Sequence, residues 1–302
     1  MAAPIVVLAG GTGGAKLARG MYDVVGEDLV VIANTADDVE LHGAYVSPDP
    51  DLITFWLADE IDARGWGLRG DTFAVMDALR KMGEDVWFNL GDRDLAIGLR
   101  RTRRLNEGAR PTDVAAELAE TFGVEARVLP MTDAPVRTQV KARGSWMGLQ
   151  EFLIREGGEG PVEDVRFEGA SDAPATSEVM GAISSARAIV IGPSNPIMSI
   201  GPMLALSGMR AALRAARAPV VAVSPIVEGR VLKGPTAAFM EWGGLTVDAA
   251  GIADIYAWVI DGLVADERTD RVPLLQTPVL LSTPKQRRSV ARETLKFAAA
   301  LR

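Results

Sequence analysis

Four glycines lie within five residues at positions 10–14 (GGTGG), directly after a short apolar run at residues 5–8. Glycine lets the backbone turn sharply, and a helix that starts after such a turn presents free N–H groups and its positive dipole end to an anion. The spacing fits neither common fingerprint, because Lys16 replaces the third glycine of G-x-G-x-x-G and Leu17 replaces the Ser or Thr of a P-loop. We predict a phosphate-binding turn of another kind. The alternative is a tight connection that binds nothing.

Aspartates cluster after the second apolar run of the chain. Asp37 and Asp38 follow that run after Asn34, Thr35 and Ala36, and Asp49 and Asp51 come soon after. In a doubly wound sheet this segment lies beside the glycine turn. Carboxylates next to a phosphate suit a hard cation such as Mg²⁺, which would link them to the phosphate oxygens. The structural alternative is that Asp37 and Asp38 close a turn and that Asp51 caps a helix at residues 52–63.

The composition excludes several classes of site. The chain has 302 residues, 48% hydrophobic, with a formal net charge of −8. This charge argues against nucleic-acid or anionic-membrane binding, so a phosphorylated ligand needs local donors or a metal ion. The absence of cysteine excludes thiol chemistry and fits a reducing cytoplasm, where we place the protein. His42 is the only histidine, and we expect it as a partly buried imidazole at a tight turn rather than as a general base.

Strands that end in loops rich in Gly, Ser or Asn recur along the chain, as expected for one edge of a parallel sheet that carries a long ligand. We predict an α/β fold with a Rossmann-like three-layer core, formed by residues 1–130 and 176–302. A smaller α+β subdomain is inserted at residues 131–175, with a hairpin of 136–142 and 148–154. Predicted strands cover 5–8, 29–33, 85–90, 188–191 and 219–223, and predicted helices cover 52–63, 74–82, 177–185 and 285–301.

A charged loop, Gly91-Asp92-Arg93-Asp94, follows the predicted strand at residues 85–90. Arg93 can bind a carboxylate or a phosphate with two parallel hydrogen bonds, or it can pair with a neighbouring aspartate. Nearby aromatic residues suggest the wall of a pocket for a flat ring. They are Trp56, Trp66 and Phe73.

Taken in order, these segments resemble the 2-phospho-L-lactate transferase family of coenzyme F420 biosynthesis. The resemblance runs from Gly10 to about Pro235 and rests on GGTGGAKL, NTADD with HG, SPDPD, GDTF, LGDRD, MTDAPVRT, IGPSNP and SPI with KGP. It implies a Rossmann-like core with a smaller inserted domain, a homodimer and a need for Mg²⁺. It also implies transfer of a 2-phospholactyl, phosphoenolpyruvyl or related group from a guanosine diphosphate ester to 7,8-didemethyl-8-hydroxy-5-deazariboflavin (Fo). The products would be coenzyme F420-0, or its dehydro form, and GMP.

The resemblance also assigns roles to residues. Asp38 and Asp51 are expected to be catalytic, Asp37, Asp38 and Asp51 to hold the metal, and Asp51 and Arg93 to contact the deazaflavin. Further expected substrate-binding residues are Gly10, Gly11, Thr12, Gly13, Gly14, Lys16, Asn34, Thr35, His42, Thr132, Asp133, Gly192, Ser194, Asn195 and Lys233. Two alternatives stay open. One is a nucleotide-sugar-binding regulator with a similar glycine turn, and the other is a nicotinamide-dependent oxidoreductase, which the broken fingerprint disfavours.

Overall fold

A computed structural model describes residues 3–301. Its strands are β1 Ile5–Ala9, β2 Leu29–Ala33, β3 Val39–Leu41, β4 Ala44–Val46, β5 Arg127–Pro130, β6 Arg137–Ala142, β7 Ser145–Gly148, β8 Asp164–Glu168, β9 Ala188–Ile191, β10 Val220–Val223, β11 Ile226–Val227, β12 Arg230–Val231, β13 Gly262–Ala265 and β14 Leu274–Gln276. Its helices are α1 Gly11–Val25, α2 Pro48–Leu57, α3 Ala74–Lys81, α4 Asp92–Asn106, α5 Pro111–Thr121, α6 Leu149–Ile154, α7 Ser177–Ser185, α8 Gly201–Ala205, α9 Met209–Ala215, α10 Thr236–Trp242, α11 Ala249–Tyr256 and α12 Pro284–Ala300, with a 3₁₀ turn at Gly26–Asp28.

The central element is a seven-stranded parallel sheet in the order β14-β13-β10-β9-β1-β2-β5. The chain proceeds from β1 to β2 and β5 on one side, and returns through β9, β10, β13 and β14 on the other. The direction of winding therefore reverses between β1 and β9, which pair in parallel. Ligands of doubly wound proteins bind at the carboxyl ends of the two strands at such a reversal.

The sheet is buried on both faces, which explains its continuous apolar strands. Val6 and Leu8 of β1 face a core that α7, α8, α9 and α11 cover. Val7 and Ala9 face the opposite core, which is formed with α1, α2 and α12. The predicted three-layer Rossmann-like fold is thereby confirmed.

A smaller antiparallel sheet in the order β7-β6-β8 falls within residues 137–168. The first strand of the predicted hairpin is confirmed, but its second half was placed wrongly. β7 ends at Gly148 and the following residues form α6, because Leu149 and Phe152 lie on one helical face and are buried with Phe239. The proposed domain limits at residues 131 and 175 stay a prediction.

Two further predictions were wrong. Residues 85–90 form no strand; Val86, Trp87 and Phe88 instead pack in an irregular segment against a small cluster around Leu90. The helix predicted at residues 52–63 runs from Pro48 to Leu57, because proline is favoured in the first turn of a helix.

Candidate active site

The glycine turn joins β1 to α1 at the point where the winding reverses. The amide of Gly10 donates a hydrogen bond to Ser194 Oγ at 3.1 Å, just beyond the end of β9. The amide of Gly11 donates to Asp49 Oδ1 at 2.6 Å, in the first turn of α2. The start of α1 is thereby tied to the neighbouring strand end and to an aspartate.

The glycines of this turn serve different purposes. A Cβ at Gly13 would lie 2.1 Å from the Pro193 carbonyl oxygen, and one at Gly14 would lie 2.6 Å from Ser194 Oγ. Both glycines thus allow α1 to pack closely on the loop after β9, with no ligand needed to explain them. Gly11 has a φ of +62°, and no atom lies within 4 Å of a Cβ built there. Gly11 is therefore the glycine of the three with free space beside its backbone.

A cavity of about 350 Å³ opens above this turn. It gathers many of the predicted substrate-binding residues: Gly10, Gly11, Thr12, Gly13, Lys16, Ser194, Asn195 and Lys233. Asn195 Oδ1 accepts from the amides of Ile197 and Met198, while its buried Nδ2 has no hydrogen-bond partner among the described residues. Because a buried donor without a partner is costly, Asn195 Nδ2 is suited to a ligand acceptor.

Two lysines give this cavity its positive charge. Burial lowers the pKa of Lys16, and the charges of Lys233 and Arg287 lower it further. The ammonium of Lys16 lies 5.8 Å from the centre of the Trp56 ring. Like charges gathered at a helix N-terminus are favourable when an anion lies between them.

The half-buried Asp37 and the buried Asp49 form a carboxylate pair near the glycine turn. Asn34 Nδ2 donates to Asp37 Oδ1 at 2.8 Å and to Asp49 Oδ2 at 3.1 Å. Gln150 donates to the other oxygen of Asp37. Burial and the charges of Asp49 and Asp38 raise the pKa of Asp37, and burial raises the pKa of Asp49 to about 6. The pair thus has excess negative charge in a site where desolvation disfavours it.

Asp38 and Asp51, both predicted to hold the metal, are engaged elsewhere. Asp38 accepts from Ser47 Oγ at 2.8 Å and from the Tyr45 hydroxyl at 3.0 Å, and burial raises its pKa to about 7. Asp51 forms an ion pair with Arg101. Within residues 3–301, no group of three His, Asp or Glu side chains is arranged to hold a metal ion. The structure therefore does not assemble the predicted set of three aspartates.

Sequence reasoning singled out Asp51, whereas Asp49 is the aspartate of α2 that contacts the glycine turn. Both lie in the first turn of α2, and residues two apart on a helix point to different sides. Asp49 consequently faces the glycine turn, whereas Asp51 faces Arg101 of α4. The useful signal was Pro48, which marks the first turn of α2 and so places Asp51 inside the helix instead of at its cap.

Three other predicted residues lie in turns or make hydrogen bonds within the protein. His42 is exposed with a φ of +50°, and it forms with Gly43 the two-residue turn between β3 and β4. The prediction of a partly buried imidazole at His42 was therefore wrong. Thr132 donates to the Pro174 carbonyl at 2.7 Å. Asp133 accepts from the amide and hydroxyl of Thr112, which satisfies donors at the start of α5.

Asp71 and Asp92 each accept hydrogen bonds from backbone amides at the start of a helix. Asp92 accepts from two backbone amides at the start of α3, and Asp71 accepts from two at the start of α4. Arg93 is exposed and donates to the Arg69 carbonyl at 2.9 Å. It lines a groove of about 310 Å³ with Arg101, whereas Asp51 lines a separate small cavity. The two residues expected to contact the deazaflavin are therefore near Arg101 but do not share one of these cavities.

The remaining predicted residues lie at the sheet edge. Asn34 and Thr35 follow β2 directly and are buried, and Thr35 Oγ1 has no hydrogen-bond partner among the described residues. A Cβ at Gly192 would lie 3.0 Å from the Leu8 carbonyl oxygen, so this glycine serves the close approach of β9 to β1.

The fold and the cavity define a Rossmann-like α/β protein with a cavity at the reversal of strand order, where doubly wound proteins bind ligands. The family model described as 2-phospho-L-lactate transferase CofD matches residues 5–283. The chain therefore belongs to the 2-phospho-L-lactate transferase family.

Individual relatives agree with this assignment. The chain is 38% identical over 266 residues to the 2-phospho-L-lactate transferase of Methanosarcina mazei, covering 87% of each chain. It is 40% identical over 266 residues to that of Methanothermobacter thermautotrophicus, covering 87% of this chain and 85% of the relative. It is 34% identical over 309 residues to the 2-phospho-L-lactate transferase of Methanocaldococcus jannaschii, covering 98% of this chain and 99% of the relative.

A crystal structure of a UPF0052-family protein from Bacillus halodurans has the same fold, with a TM-score of 0.58. The two sequences are 16% identical, and the match covers 89% of this chain and 83% of that one. Within residues 3–301, no helix is long and apolar enough to cross a membrane.

Proposed function

We propose that this chain transfers a 2-phospholactyl, phosphoenolpyruvyl or related phospho-acid group from a guanosine diphosphate ester to the ribityl hydroxyl of Fo. The products are coenzyme F420-0, or its dehydro form, and GMP. The observation that carries the proposal is the cavity above the glycine turn. In a member of the 2-phospho-L-lactate transferase family, it combines helix N–H groups, two lysines and an unpartnered Asn195 amide beside buried carboxylates.

The proposed chemistry is an in-line displacement at phosphorus. The acceptor hydroxyl oxygen bonds to the phosphorus that bears the acid, while the bond from that phosphorus to the bridging oxygen breaks. GMP leaves with the bridging oxygen, and the hydroxyl releases its proton. Such transfers depend on positioning and charge neutralisation, so a chain without cysteine can perform them.

Positive groups of the cavity fit the diphosphate. Lys16 and Lys233 line it together with the turn at residues 10–13, and Ser194 and Asn195 close the side formed by β9. These donors neutralise charge on the bridging and terminal oxygens as GMP departs. Asp38, with its pKa near 7, is suited to accept the hydroxyl proton. The contacts of Asp51 and Arg93 with the deazaflavin rest on the family resemblance.

Mg²⁺ fits the pair Asp37 and Asp49 better than the set predicted from sequence. The two carboxylates share one amide donor and form no ion pair within the described residues. Burial raises the pKa of both, and the charges of Asp49 and Asp38 raise that of Asp37 further, so a bound cation would favour their charged forms. Bound there, Mg²⁺ would neutralise charge on the transferring group. Asn34 holds the pair in place.

The test is product analysis with purified protein. Lactyl-2-diphospho-5'-guanosine and Fo, with Mg²⁺, should give F420-0 and GMP in equal amounts by mass spectrometry. Asp38→Asn should lose this activity, while Asp172→Asn, at an exposed aspartate, should keep it. Release of GMP without a modified deazaflavin would contradict the proposal, and a parallel reaction with the phosphoenolpyruvyl donor would identify the acid.

The family match favours this activity over both open alternatives. The likeness to the UPF0052 protein, at 16% identity, shows the fold alone. We further propose a cytoplasmic homodimer without nucleic-acid or membrane partners, on the basis of charge, composition and resemblance.

A further inference from the structure

Trp66 lies on a short loop between Ile61 and Leu68, which hydrogen bonds hold in place. Ile61 and Leu68 form an antiparallel bridge, and the amide of Asp62 donates to the Gly67 carbonyl at 3.1 Å, which closes the loop. Asp62 Oδ1 accepts from the amides of Arg64 and Gly65 inside it. Trp66 stands at the tip with 52% of its surface exposed. A ring in this position offers a flat apolar face to a planar ligand.

The loop is fixed beside the glycine turn. Trp56 Nε1 donates to the Gly65 carbonyl at 3.4 Å, and a Cβ built on Gly65 would lie 3.8 Å from Thr12 Cγ2. Trp66 consequently lines the same cavity as Thr12 and Lys16. Of the three aromatic residues considered from the sequence, Trp56 is buried beneath Lys16 and Arg287.

A cation covers the ring of Trp66. Lys233 Nζ lies 4.8 Å from the ring centre and donates to the Arg64 carbonyl at 3.4 Å. Lys233 therefore connects its own loop to the loop that carries Arg64 and Trp66, although the two are distant in sequence. Its contacts there are a neutral ring and a carbonyl, which hold an ammonium more weakly than a diphosphate does.

We propose that Trp66 is a stacking platform for the planar ring of a substrate, and that Lys233 leaves this ring for the diphosphate when the substrate binds. This inference rests on the proposed function, since it uses the donor and acceptor named there. Both carry a planar heteroaromatic ring, guanine in one and deazaflavin in the other. Movement of Lys233 would expose the ring face of Trp66 as the phosphates arrive.

The test is calorimetry with three probes: GDP, Fo and inorganic diphosphate, which has no ring. Trp66→Leu should bind GDP or Fo about tenfold or more weakly, as expected for loss of stacking on a ring, and should bind inorganic diphosphate as the wild type does. The ligand that loses affinity identifies the stacked ring. Trp146→Leu is the matched control, because Trp146 is 36% exposed beneath Arg166 but does not line this cavity.

Lys233→Met tests the second part. It should weaken binding of inorganic diphosphate by about tenfold or more, since an ammonium–phosphate contact is lost. Unchanged affinity would show that Lys233 does not move to the diphosphate. Trp66→Leu with wild-type affinity for both GDP and Fo would overturn the platform. If the wild type binds neither, the proposed function fails as well; if the wild type turns over substrates and only the stacking prediction fails, the proposed function stands.

Discussion

The replacement Asp49→Asn tests the charge balance at the centre of the site. Asp49 is 4% exposed, and burial raises its pKa from 3.8 to about 6. In the folded state the charged form is therefore disfavoured. The protonated carboxyl of Asp49 contributes stability that is fully present below pH 3.8 and is lost as the pH rises through 6. Over this range the native state binds more protons than the unfolded chain.

The size of this effect on the free energy of unfolding follows from the difference between the two pKa values. A carboxyl that moves from 3.8 to about 6 lowers the free energy of unfolding by about 3 kcal/mol once it is fully ionised, and about 2 kcal/mol of this falls between pH 4.5 and 8. Asparagine keeps an oxygen for the Gly11 amide but places an NH₂ group near Asn34 Nδ2, or loses that contact, at a cost of about 1 kcal/mol. We expect Asp49→Asn to be more stable than the wild type at pH 8, by about 2 kcal/mol, and about equally stable at pH 4.5.

Urea unfolding at the two pH values, without Mg²⁺, measures both differences. Asp172→Asn is the control, since Asp172 is exposed and its replacement should leave the pH dependence unchanged. The reasoning is refuted if Asp49→Asn and the wild type lose the same free energy of unfolding between pH 4.5 and 8. It is also refuted if Asp49→Asn is less stable than the wild type at pH 8.

Four further outcomes are expected. Mg²⁺ at a hundred times its Kd should raise the free energy of unfolding of the wild type by about 2.7 kcal/mol and that of Asp49→Asn by much less, as urea titration would show. Asp38→Asn should lower kcat by about a hundredfold or more in steady-state assays with little change in Tm, because one hydrogen-bond acceptor remains. Gly11→Ala and its control Gly26→Ala, both at positive φ in open space, should each lose about 1 kcal/mol or more in urea unfolding, but calorimetry should show a tenfold loss of GDP affinity for Gly11→Ala alone. Arg93→Lys should weaken Fo binding and leave GDP binding unchanged in the same titrations, since an ammonium lacks the planar fork; equal loss of both would indicate a structural role.

The fold was predictable because its signals are local. Short runs of β-branched residues, such as residues 5–8, are long enough for a strand and too apolar for any position but a sheet buried on both faces. Each such run ends in small or polar residues. These residues indicate the edge of the sheet at which a ligand is expected. The errors at residues 85–90 and 148–154 arose where a short apolar run was buried by tertiary packing instead of by strand pairing.

The glycine turn shows why function is harder to infer from residue type. Its glycines form one motif in the sequence, yet Gly13 is needed for the Pro193 carbonyl and Gly11 for a positive φ. Pro193 is far away in the chain, so no local rule separates the two causes. Replacement of Gly13 would therefore disturb α1 packing whether or not a phosphate binds, and Gly11 is the better test of the phosphate site.

The capping pair Asp71 and Asp92 extends this argument to the segments GDTF and LGDRD. Each aspartate satisfies amides at the start of the other's neighbouring helix, and a Cβ at Gly91 would lie 2.1 Å from Asp71 Oδ2. Three residues of these two segments are thereby explained by the junction of α3 and α4 alone. The amide of Arg93 donates to Asp71 in that junction, and its guanidinium donates to the Arg69 carbonyl and forms no hydrogen bond to a carboxylate within residues 3–301. Because the caps do not depend on the guanidinium, replacement of Arg93 by lysine should leave the junction of α3 and α4 intact, and a loss of Fo affinity in that variant would then report on the planar fork itself.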